Sequence, residues 1–173
     1  MKVSVAVVVS LLAIPAVAQA QAVTDPQIAA IVVAANQVDI DAGKVAATRG
    51  SNTEVKAFGE QMVAAHAGVN KSAGELVARL KVKPEDNETS KALRSAGEKN
   101  VAKLQGLKGA EFDRAYIENE VAYHQQVLDA VDKTLIPSAQ NAELKALLVK
   151  VRPEFVAHLE HAKHLQTTLG KAR

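Results

Sequence analysis

Histidine, aspartate and glutamate are the side chains of this sequence able to hold a metal ion or to move a proton near neutral pH. The stretch PEFVAHLEHAKH, residues 153–164, carries three of the five histidines, His158, His161 and His164, and the other two are His66 and His124. Cysteine is absent, which excludes thiolate metal sites, cysteine nucleophiles and disulfides. The sequence contains neither a Gly-x-Ser-x-Gly elbow nor a glycine-rich phosphate loop. Histidine beside glutamate could transfer protons, but no residue is assigned a catalytic role and no substrate class is indicated.

Direction along a helix sorts the histidines, because successive side chains turn by about 100°. In the last segment Phe155, Ala162, Leu165 and Leu169 mark an apolar face that includes His158. His161 falls at its border and His164 outside it. Glu154 lies one turn before His158, about 40° away. His124 sits within the stripe Ile117, Val121, Leu128, Val131, with Glu120 one turn earlier, and His66 lies between Met62 and Val69. Three helices thus each aim one histidine inward, and the candidate metal ligands are His66, His124, His158, Glu120 and Glu154, with a divalent ion such as iron, manganese or zinc. The spacing is Glu-x-x-x-His and not the Glu-x-x-His of di-iron carboxylate bundles. The first helix offers only Asp39 and Asp41, on opposite edges of its apolar stripe, so a mononuclear histidine-rich site fits better than a di-iron centre. The alternative is a set of structural polar residues in the core, each hydrogen-bonded within the protein.

The elements that must position these groups are helices, since apolar residues recur at spacings of three and four. Asp25 before Pro26 predicts a first helix to about Ala47, and Ser51 with Glu54 predicts a capping box for the second. The polar segment KVKPEDNETS is expected to be a loop or crossover, followed by a shorter helix from Thr89 to Leu104. A third strong helix is expected from Ala110 to Leu135, ended by Pro137. Asn141 should cap the last helix, in which Pro153 should give a kink or local break.

Residues 1–20 read as an export signal: Lys2, an apolar run from Val3 to Val17, then Ala18-Gln19-Ala20 as a small-residue cleavage pattern, with Ala22 as the next choice. Residues 21–173 are expected to form a single domain of about 150 residues, large enough for one core. The run is shorter than the roughly 20 residues of a membrane span, so no transmembrane segment is expected in the mature chain. The formal charge of +2 falls to +1 without Lys2, and with no cluster of Lys and Arg a nucleic-acid partner is not expected. A periplasmic or secreted location follows, with an envelope protein as a possible partner.

Three segments, VDIDAGKVAATRGSNTEVKAFGEQMVAAH, LKGAEFDRAYIENEVAYHQQVL and ELKALLVKVRPEFVAHLEHA, resemble the bacterial family known as domain of unknown function 4142, over nearly the whole mature chain. The resemblance implies an exported, ferritin-like four-helix bundle. Its motif histidines map onto His66, His124 and His158, and its paired first-helix acids onto Asp39 and Asp41, which are aspartates where the family commonly carries the longer glutamate. It implies no activity, since a ferritin-like fold serves oxidation, storage or neither. Two functions therefore stand open: a metal-associated envelope protein in metal handling or stress protection, or a non-catalytic periplasmic interaction protein with structural histidines.

Overall fold

The computed structural model describes residues 23–171, and the expected export signal at residues 1–20 lies outside them. Five long helices run in order: α1 Asp25–Arg49, α2 Thr53–Leu80, α3 Glu88–Gly106, α4 Gly109–Ala130 and α5 Ala142–Lys171. Among the described residues there is no strand, and no helix is long and apolar enough to cross a membrane.

Local hydrogen bonding explains each start. Thr24, not Asp25, caps α1: its hydroxyl accepts from the Gln27 N–H while the Gln27 side chain accepts from the Thr24 N–H. The Asp25 carboxylate instead accepts from the backbone N–H groups of Gln140 and Asn141, both at 2.9 Å, and ties this end of α1 to the entry of α5. At α2 the expected Ser51 cap is replaced by Asn52, whose side chain accepts from Glu54 and Val55. Ser51 is diverted because its N–H and hydroxyl both donate to the buried carboxylate of Asp113 on α4. The short helix expected from Thr89 is a full element, capped by Asn87 with Ser90.

Helix α4 does not stop at Leu135. Its hydrogen bonding widens to the π pattern over Val131–Leu135, with the Ile136 N–H reaching the Val131 carbonyl, and a last α turn, Ile136–Ser138, contains Pro137. Asn141 caps α5 as expected, accepting from Glu143 and Leu144. Helix α5 passes through Pro153 without a break.

Helix α1 lies against α2 and α3, while α5 lies against α4 and α2. Glycine permits the closest crossings. A Cβ on Gly59 would stand 2.8 Å from both the Gly43 carbonyl oxygen and the Ala46 Cβ, and one on Gly97 would stand 2.6 Å from a Val38 methyl. Two apolar clusters result. One gathers Ile28, Val32, Val69, Leu128, Leu148 and Phe155, the other Ala46, Phe58, Met62, Phe112, Tyr116 and Leu165. Along α1, α2 and α4 the residues between these clusters are polar and buried: Asn36 and Asp39, then His66, then Glu120 and His124. His158 of α5 completes this layer.

Candidate metal centre

Each of the four helices α1, α2, α4 and α5 supplies side chains to the buried layer, and α1 and α4 supply two each. One nitrogen or carboxylate oxygen from each of His66, His124 and His158 lies within 4.8 Å of the others, and the same holds for Asp39, Glu120 and His124. His124 belongs to both groups, so five side chains form one constellation. Ions of the first transition row take such donors at about 2.0–2.2 Å, which puts donors on opposite sides about 4 Å apart. The spacing is on that scale.

The outward nitrogens of two rings fix what the inward ones can do. The Asn36 amide donates to the Val32 carbonyl at 2.9 Å, which turns its oxygen toward His66 Nδ1 at 2.7 Å. His124 Nδ1 stands 3.1 Å from the Glu120 backbone carbonyl. Both partners only accept, so each Nδ1 carries a proton, and in the neutral tautomer Nε2 holds the lone pair. Those Nε2 atoms face Asp39 Oδ2, at 2.9 Å from His66 and 3.4 Å from His124. With neutral rings acceptor faces acceptor, an arrangement that a metal ion between them, or a proton shared between His66 and Asp39, reconciles. Both Asp39 oxygens, both Glu120 oxygens, Nε2 of His66 and of His124, and Nδ1 of His158 have no hydrogen-bond partner in the protein. A buried polar atom left in this way costs roughly 1–3 kcal/mol, and a purely structural network would satisfy its members. The residues present thus fit a metal ion, with Asn36 and the Glu120 carbonyl as the outer partners that orient the imidazoles.

Burial would raise the Asp39 carboxyl, but His66, with His124 and His158 behind it, outweighs that effect and holds it below the usual carboxylate range. Glu120 is pushed well above its ordinary range by burial and by the neighbouring Asp39 charge. Burial lowers His124. His158 is lowered to about 4 by burial and by the other two imidazoles. Without a metal, burial and the Asp39 charge thus favour the protonated form of Glu120, and burial favours the neutral rings of His124 and His158. A divalent ion would release the Glu120 proton and find two carboxylates, giving a buried site with no net formal charge. Phe155 stacks on His66 with ring planes 5° apart and 5.4 Å between centroids, closing that side to water.

A family model described as domain of unknown function (DUF4142) matches residues 12–165. The chain belongs to this family. Compared with curated proteins and with solved structures, it finds no match. The DUF4142 description carries no activity, so function rests on the site.

In this DUF4142 chain the structure brings together four of the five expected ligands, His66, His124, His158 and Glu120. Glu154 is corrected: it is exposed on α5, because the 40° that separates it from His158 carries it past the edge of the packed face. Asp39 is the residue that sequence reasoning undervalued. It is buried at the centre, whereas Asp41 is half-exposed and bound by Gln37 and Lys44. The signal for it was Asn36 and Asp39, two polar residues one turn apart among small and aliphatic neighbours. His161, hydrogen-bonded to Gln61, and His164 are both exposed.

Proposed function

We propose that this chain binds a divalent first-row metal ion through His66, His124, His158, Asp39 and Glu120, as an exported, ferritin-like protein of metal handling or stress protection in the cell envelope. One observation carries the reading: the Nε2 lone pairs of two imidazoles, whose tautomers are fixed from outside, meet the same carboxylate oxygen in a buried layer. Five candidate donors exceed the four of a tetrahedral zinc site, which favours iron or manganese. The ferritin-like part is supported by the contribution of α1, α2, α4 and α5 to one inward cluster, the way bundles of that kind build metal centres from facing helices. The export part is supported by the sequence of residues 1–20.

Elemental analysis of protein purified without an affinity tag, beside a variant with His66, His124 and His158 changed to alanine, tests it. Near-stoichiometric iron or manganese in the parent alone is the expected result. No metal retained or taken up on titration by the parent would overturn the reading and leave an interaction protein with a protonated, structural histidine layer.

A further inference from the structure

The second feature beside the histidine layer is a hole. A cavity of about 230 Å³ lies within the apolar cluster that contains Ile31, Leu148 and Phe155, and Asn36, His66 and His124 are among the residues that line it. Its walls are hydrocarbon, chiefly Val127, Val131, Leu135, Leu148 and Phe155. Thr89 and Leu93 of α3 and Gln126 of α4 lie at its rim, where α3 follows α1 and barely touches α4. The rings of His66 and His124 thus share one lining with side chains of α3 and α4.

Water is a poor occupant. A buried water needs two to four polar partners, yet the Asn36 amide already donates to Val32 while its oxygen serves His66, and away from the two imidazoles the lining is mostly hydrocarbon. An apolar cavity of about 150 Å³ stays dry and holds benzene, so this larger one has room for a substituted ring and exceeds what a diatomic gas requires. Val131 and Leu135, which line it, also bound the π-type stretch of α4. Such widened turns occur mostly as local interruptions of α-helices and recur at functional sites.

We infer that the cavity is a binding site for a small uncharged, mainly hydrocarbon molecule, an aromatic ring with a short alkyl chain being the size class, held with one end against His66 and His124. The inference deepens the metal reading by placing an apolar ligand beside that centre, and it can be tested separately from it because the walls do not include the carboxylates.

The experiment is a calorimetric titration of the metal-free and the metal-loaded full chain with n-butylbenzene, with NOEs from ligand protons to the Val131 methyls and the His124 ring locating the molecule. Saturable binding in the metal-free protein is expected, with NOEs to both residues, and Ala130→Phe, which fills the wall, should weaken it by at least about tenfold. Helicity and unfolding midpoint verify that this variant folds; Val127→Phe serves in its place if it does not. Absence of saturable binding, or binding that both filling variants leave unchanged, overturns the inference. Binding of xenon without n-butylbenzene overturns the size class. A protein that binds n-butylbenzene but never retains metal refutes the metal reading alone.

Discussion

Nε2 of His66 stands 2.9 Å from Oδ2 of Asp39 with both side chains buried. The pair is an ion pair when His66 is protonated and two candidate ligand atoms when it is not. Asp39→Asn keeps the shape and removes the charge, leaving at most one anion to balance a divalent ion. Metal affinity is expected to fall by more than the roughly 10–100-fold that loss of an outer partner costs, measured by competition with a chelating dye. Unchanged affinity would remove Asp39 from the ligand set.

Asn36 touches no metal in this reading, yet it holds the His66 tautomer. Asn36→Leu is expected to weaken metal binding by about 10–100-fold while Glu154→Gln, at an exposed position, changes nothing. A large loss in the second variant would return Glu154 to the site.

Metal-free protein should lose stability toward both ends of the range from about pH 4 to about pH 9. His124 and His158, whose folded-state values are depressed by burial, favour the neutral form while the unfolded chain takes up protons from about pH 6.5 downward, so their contribution falls toward pH 4. Glu120, raised by burial and by Asp39, acts the other way: the unfolded chain releases its proton from about pH 4.3 upward, so this group's contribution falls as pH rises. Glu120→Gln should abolish the alkaline decline and spare the acid one, as read by urea midpoints from pH 4 to pH 9. An alkaline decline that persists in the variant would count against a protonated Glu120.

His66, His124 and His158 were legible in the sequence because each interrupts an otherwise apolar stripe, and a polar residue on such a stripe must face the core. Asp39 was not, because the stripe chosen for α1 assumed one buried face. Helix α1 is covered by α2 on one side and by α3 on another, so Val38 meets Gly97 while Asp39 turns to the centre. Caps were legible only where no distant group competed: Asn141 serves α5, whereas Ser51 was drawn away by Asp113, a residue 62 positions along the chain. The cavity had no sequence signature, since its lining is the same aliphatic set that fills the rest of the core.

Asp113 gathers three donors, the N–H groups of Ser51 and Asn52 at 2.9 Å each and the Ser51 hydroxyl. Asp113→Ala strands them at the α1–α2 turn and is expected to cost about 2–4 kcal/mol in chemical denaturation, with metal stoichiometry retained below the transition. A cost within about 0.5 kcal/mol, that of an ordinary surface substitution, would mean that the turn holds without it.

Gly59→Ala forces a methyl against the Gly43 carbonyl and Ala46. Separation of α1 from α2 should cost about 1–3 kcal/mol and loosen metal binding together with it, because Asp39 and His66 sit on those two helices. Lost stability with full affinity would show that the pair tolerates the shift.

A chain without cysteine cannot be cross-linked covalently in an oxidising compartment. Residues 39, 66, 124 and 158 are spread across most of the domain, and an ion joining them would close three long loops at a single point. It would thereby do for this chain what disulfides do for exported proteins, with the difference that the cross-link can be removed by a chelator or by acid and restored without an oxidant.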